Sequence, residues 1–252
     1  TGVLALREVE RTYRHTYGYS LGYLHTGFEF NDGNESEEWV DTIQLGVHNK
    51  YDADSWQLRN DLTGRVSFHN VDRNIDWPSP LGRSEMNGTY ETYSITSDNI
   101  LGKEFGLGKR ASIMPYGAFR AMYVTRPKFN ESGLEALEVE GNDAWSAKPR
   151  AGVELKGSLP LGSKTAWQLK GALDVAYEYE LADLNEREKA RLIAIEDGYH
   201  KLSKPQDEEG IFRTRASLGV EVEDRYGIFL TGEYSTGSNK ENDYRAGVVF
   251  KA

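Results

Sequence analysis

The sequence predicts an all-β fold, an antiparallel up-and-down transmembrane barrel, and three observations carry that prediction. Side chains alternate with period two from near residue 12 to the end, one set apolar and the other polar. The best of these runs reach 15 residues, whereas globular strands usually span ~3–10 and a membrane-crossing strand needs ~9–11. The connections alternate between short and long, as in a barrel with tight turns at one rim and extended loops at the other.

Ten strands follow in order, near 12–30, 40–52, 56–71, 87–100, 111–126, 143–159, 165–182, 210–223, 226–237 and 242–252, and residues 1–8 read as the tail of a further strand. In the third run one face carries Trp56, Leu58, Leu62 and Val66, and the other Arg59, Asp61 and Arg65. The strand at 87–100 alternates least regularly. In 145–159, Trp145, Val153 and Leu155 oppose Lys148, Arg150, Glu154 and Lys156. The next run sets Trp167, Leu169, Leu173 and Val175 against Lys170, Asp174 and Glu178. In 212–223, Leu218 and Val220 alternate with Arg213, Arg215 and Glu221. Aromatic rings bracket these apolar faces, Trp145 on one and Trp167 with Tyr177 and Tyr179 on the next, which reads as interfacial girdles. Pro149 is the blemish, since proline usually marks an edge or a bulge.

Short connections lie at 52–55, 101–110, 160–164 and 223–226; long ones at 30–39, 71–86, 126–143 and 182–210, with 236–242 on the long side. NEREKARLIAIE within 182–210 favours helix by propensity, so a short helix is expected there. The apolar set is the expected lipid face and the charged set the expected lumen. Both signs occur in that lumen, so cross-strand pairing is favoured over a selectivity filter, which shows rings of one sign. Gly18, Gly22, Gly152 and Gly219 are expected to leave it open to water.

Composition narrows the function. Hydrophobic residues are 38%, charged residues 28% and mean hydropathy −0.64, because interleaved polar residues dilute the average. No window approaches the ~18 consecutive apolar residues of a membrane helix. The net charge of −10 argues against nucleic acid as the partner, and a chain without cysteine has no disulfide or thiolate metal site. It starts at Thr1 with neither Met nor signal peptide, so a mature product or a fragment is expected. The five histidines lack metal-ligand spacing, and no HExxH or G-x-S-x-G occurs. GLGKR at 106–110 lacks the Walker spacing, and SDN at 97–99 has no accompanying S-x-x-K. NDGNESEE at 31–38 spaces its acids loosely like a calcium loop, but Asn-Asp-Gly marks a hairpin tip. Acidic ESEE (35–38) and DEEG (207–210) read as solvated loop tips, the other reading being divalent cations shared with lipopolysaccharide. No catalytic residue, cofactor or metal is expected.

Four stretches resemble the translocator (β-barrel) domain of type Va autotransporters of Gram-negative bacteria. LGKEFGL (101–107) followed by SIMPYGAFRAMYV (112–124) looks like the family's "G-x-x-F … L-x-P-Y-x-G-L" strand pair. NDAWSAKPRAGVELKG (142–157) is similar to its "S-x-R-x-R-x-G-x-x-L" strand, with Arg150 and Gly152 in register. WQLKGALDVAYEYEL (167–181) resembles the element that follows, and RAGVVFKA at the end resembles a barrel assembly signal carried by Arg245, Gly247 and Phe250. Ala252 is small where that signal usually ends on a large apolar residue. The resemblance covers roughly 40 to 252 and implies a twelve-stranded barrel whose first strands, pore-spanning helix and passenger lie upstream. It further implies insertion among outer-membrane lipids and lipopolysaccharide by the barrel-assembly machinery, with secretion of the passenger to the surface. Two other readings stand beside it, a stand-alone outer-membrane pore or porin-like barrel and a soluble ligand-binding barrel.

Overall fold

A computed structural model of the chain describes residues 1–12, 14–30, 33–80, 82–162, 166–182, 188–195, 198–202, 210–223, 226–238 and 242–251. Eleven long strands run antiparallel in chain order. They are β1 (Gly2–Thr12), β2 (His15–Glu29), β3 (Glu37–Ala53), β4 (Trp56–Asp76), β5 (Arg83–Lys103) and β6 (Ala111–Arg126), then β7 (Asn142–Pro160), β8 (Trp167–Tyr179), β9 (Gly210–Val222), β10 (Tyr226–Gly237) and β11 (Asn242–Lys251). Each pairs with its neighbours in sequence, giving one curled sheet, and among the described residues no ladder joins β1 to β11.

The strand count differs from the expected ten because β1 is a whole strand, paired from Gly2↔Leu24 to Thr12↔His15. Val3-Leu4-Ala5-Leu6 is apolar on both faces, so alternation does not announce it. The irregular 87–100 segment is the centre of the 21-residue β5, paired along its full length with β4. The helix expected within 182–210 is corrected at its described part: Lys189–Leu192 is a strand paired with Leu137–Val139. A partner strand already in place outweighs a propensity of a few tenths of a kcal/mol per residue. No helix occurs among the described residues.

Pairing residues share a face, so the ladders trace two surfaces across the sheet. One inner row runs Glu154–Asp174–Arg215–Glu233–Arg245 over β7 to β11. An outer row runs Leu159–Leu169–Val220–Ile228–Phe250 over the same strands. The polar surface is the concave one, because its side chains meet across intervening strands: Arg59 on β4 reaches Glu154 on β7 at 2.7 Å. Pro149 stands opposite Phe119 within the β6–β7 ladder and breaks the β7–β8 one, which stops at Arg150↔Glu178 and resumes in register where Leu181 N–H donates to Ala147 O at 2.9 Å. Pro115 likewise falls in a gap, between Gly102↔Tyr116 and the pairing that resumes at Phe105↔Ile113.

Candidate functional site

Burial is inverted relative to a water-soluble fold. The most buried large side chains are Met86 and Glu178, and Gln57, Arg150 and Glu221 are buried as well. Leu45, Trp145, Leu218 and Leu230 stand exposed on the convex face. Soluble proteins rarely expose continuous apolar surface on this scale. Rings collect at both ends of the convex face. Tyr123 meets Trp145 with centroids 4.6 Å apart, and Tyr234 meets Tyr244 at 5.1 Å, near the long loops; Trp56, Trp167 and Tyr226 lie near the short turns. Between Trp145 and Leu159 the outer face of β7 spans roughly 46 Å along the strand, or about 33 Å after a ~45° tilt. That matches the ~30 Å hydrocarbon core of a bilayer.

The residues expected to face lipid, Trp56, Leu58, Leu62, Val66, Trp145, Val153, Leu155, Trp167, Leu169, Leu173, Val175, Leu218 and Val220, all fall on the convex face by register. One polar device shares it. Asn60 donates to Asn99 at 2.7 Å and accepts from Asn49 at 3.4 Å, forming an amide ladder across β3, β4 and β5. Sequence patterning places Asn60 in the apolar set but cannot show that flanking amides meet it.

The residues expected to line the lumen fall on the concave wall, most of them in ion pairs. Asp98 accepts from Arg120 at 2.8 and 3.0 Å and from Arg150 at 3.0 and 3.2 Å. Glu178 accepts from Arg213 at 2.9 Å, with Arg150 and Arg120 at 3.7 and 3.8 Å. A carboxylate this buried persists as an ion only with such partners around it. Glu154 is shared by Arg59 and Lys156, and Glu221 by Lys170 and Lys251. Glu233 takes Arg213 and Arg215, and Lys148 lies 3.6 Å from Glu180. Arg65 donates to Gln44 at 2.8 Å, and Asp61 lies exposed beside Asp98 in the ladder. Asp98 and Arg120, central to this network, escaped the sequence reading. Asp98 sits in the poorly alternating strand, and Arg120 is the lone charge among Met114, Tyr116, Ala118 and Met122.

The glycines expected to open the wall to water instead receive neighbouring side chains. A Cβ at Gly18 would lie 1.9 Å from the His48 ring, which crosses that gap toward Glu8, and one at Gly152 would lie 2.6 Å from Tyr116. Gly219 is covered by Phe229. At the long-loop rim, Glu38 accepts from Tyr90 at 2.6 Å and sits 2.7 Å from His69 Nδ1, with Phe129 and Tyr90 stacked beneath Arg126. Two long loops join there as one small sheet. Phe129–Ser132 extends β5 at Asn87↔Ser132 and pairs with 137–139, which pairs in turn with 189–192. Arg73 grips Glu131 through two bonds of 2.6 and 3.1 Å. Arg245, Gly247 and Phe250, the expected assembly signal, lie on β11, whose side away from β10 has no partner strand among the described residues. Those residues also hold no cluster of side chains that could take a metal ion.

An antiparallel sheet with a lipid-length apolar outside and an ion-paired inside defines a membrane β-barrel protein. The family model "Autotransporter beta-domain" matches residues 1–233, and the chain belongs to that family. No curated protein matches it. Among solved structures, the translocator domain of the autotransporter NalP from Neisseria meningitidis is similar at 18% identity and TM-score 0.67, covering 99% of this chain and 77% of that one. The β domain of the Bordetella autotransporter BrkA is similar at 14% identity and TM-score 0.59, covering 99% and 86%. The CymD monoaromatic hydrocarbon channel also has TM-score 0.59, at 10% identity and 100% and 77% coverage. Fold likeness is thus shared by translocators and a channel, and the family match decides between them. The chain is an outer-membrane translocator domain that serves secretion of a linked passenger.

Proposed function

We propose that the passenger polypeptide passes along the ion-paired concave wall while the convex face sits in outer-membrane lipid and, at its upper girdle, lipopolysaccharide. The inverted burial carries this reading: a leucine and tryptophan surface around a wall of buried arginine and glutamate suits hydrocarbon outside and water inside. In this reading the thirteen wall residues from Arg59 to Glu221 line the lumen, and the thirteen convex residues from Trp56 to Val220 face lipid. The short turns are periplasmic and the long loops extracellular. The wall is asked for no bond chemistry, since its buried carboxylates are engaged by arginine and lysine.

Residues 1–252 form one barrel domain that draws its remaining strand, pore helix and passenger from upstream. Parity supports this: a barrel of antiparallel neighbours closes only with an even number of strands, and eleven leave β1 and β11 parallel. The bare β11, with Arg245, Gly247 and Phe250, is the strand that the barrel-assembly machinery would read. The test is the full-length protein in a Gram-negative host. Protease added to intact cells is expected to release a large upstream passenger while the barrel stays in the membrane. A signal peptide directly preceding Thr1, or a passenger held in the periplasm by an assembled barrel, would overturn the reading.

A further inference from the structure

Two clefts of about 420 Å³ each adjoin on the concave wall, sharing Ala172 and Ser217. The one at the short-turn rim is lined by Lys109, Arg110, Lys156 and Lys170, of which Lys156 is held by Glu154 and Lys170 by Glu221. The one deeper in the wall holds Arg59, Arg150, Arg213, Arg215 and Arg245 against Glu154, Asp174 and Glu233. Carboxylates outside these linings also engage the path, Asp98 and Glu178 holding Arg150, Glu178 holding Arg213 and Asp243 holding Arg245. A chain with a net charge of −10 keeps an excess of cations here because several carboxylates are shared. The carboxylates present are shared: Glu154 serves Arg59 and Lys156, and Glu233 serves Arg213 and Arg215. Arg213 Nη1 and Arg150 Nε are buried without a hydrogen-bond acceptor, and Arg213 Nε stands 3.4 Å from Glu233.

We propose that this path is a track that seats acidic side chains of the polypeptide held in the barrel, which names the chemistry of the chain in the translocator reading and rests on it. Guanidinium groups take carboxylates through paired, charge-assisted bonds, and on this path Glu154 and Glu233 already serve two cations each. A walled cleft lined by one sign of charge concentrates the opposite sign. Shape selects a polypeptide over a small anion. From Lys156 to Arg150 alone the cations extend roughly 20 Å along β7, far more than one phosphate spans but a natural length for a chain with repeated carboxylates.

The test places a photo-crosslinking residue at Ser217, common to both clefts, in the full-length protein assembled in cells. Aspartate/glutamate, lysine/arginine or glycine/serine spacers are inserted into the segment ahead of the barrel. The acidic spacer is expected to crosslink about fivefold more than the basic one, as a few solvent-exposed ion pairs imply, with glycine/serine between. Lys109→Glu, Lys156→Glu and Arg215→Glu together are expected to invert that order. Should the triple variant not assemble, Arg215→Gln alone is expected to reduce the preference. Equal crosslinking of acidic and basic spacers overturns the track. Loss of the acidic preference on adding inorganic phosphate at constant ionic strength shows a small-anion site and overturns the polypeptide assignment. No crosslink to any spacer, glycine/serine included, counts instead against passage along this wall.

Discussion

Glu178 shows how single residues divide the work on the two faces. Its carboxylate is buried among Arg213, Arg150 and Arg120, so Glu178→Gln leaves an arginine cluster short of one anion. The loss is expected at about 3–5 kcal/mol, the range for breaking a buried pair. Urea titration of the assembled barrel, followed by its heat-modifiable gel mobility, checks this; a change below ~1 kcal/mol would mean the arginines find other partners. On the convex face, Val153→Arg or Leu173→Arg is expected to cost about 2–4 kcal/mol near mid-membrane. Ser158→Arg, on the concave side opposite Lys170, is expected to assemble normally. Equal tolerance at all three sites would mean that the face assignment is wrong. Asn60→Ala strips the Asn49 and Asn99 amides of their shared partner, at an expected cost of about 1–3 kcal/mol in the same assay.

At the scale of elements, the loop strands 129–132, 137–139 and 189–192 form a rim structure tied to β4 and β5 by Arg73–Glu131 and Asn87↔Ser132. Its charged centre is Glu138, whose carboxyl is lowered to about 2, first by the Lys128 ammonium and then by Tyr199 and Arg191. A carboxyl depressed in the folded state stabilises above its unfolded pKa, and that contribution disappears as pH falls through the folded one. The rim is therefore expected to hold at neutral pH and to loosen between about 4.5 and about 2. Hydrogen exchange at 128–139 across that window checks it, and Glu138→Gln should loosen the same segment at pH 7. Exchange that ignores both pH and substitution would show that backbone pairing alone holds the rim. None of this was legible in the sequence. Lys128, Glu138 and Arg191 stand in two loops far apart along the chain, and the second carries a pattern that favours helix.

For the whole molecule, the governing feature is an open sheet whose eleven long strands leave β1 and β11 each without a partner on one side among the described residues. Unpaired backbone groups at an edge cost several kcal/mol each in hydrocarbon. Residues 1–252 alone are thus expected to give no heat-modifiable, detergent-resistant barrel. The same residues with their upstream segment should give one. Seminative electrophoresis of the two polypeptides decides it, and a stable barrel from 1–252 alone would require β1 and β11 to close on each other in parallel.

The local pattern of residues by itself determined that this chain is a sheet of long amphipathic strands, one face apolar and one charged, because side-chain direction alternates with every residue whatever the sheet's shape. It also carried the family, through the motifs around Arg150 and Gly152, as the match over residues 1–233 bears out. Only the tertiary structure decided that 2–12 is a full strand, that Asp98 and Glu178 gather arginines from separate strands, and that His48 and Tyr116 fill the glycine gaps. Those outcomes depend on register and curvature. Both bring together residues tens of positions apart, and no local pattern records them.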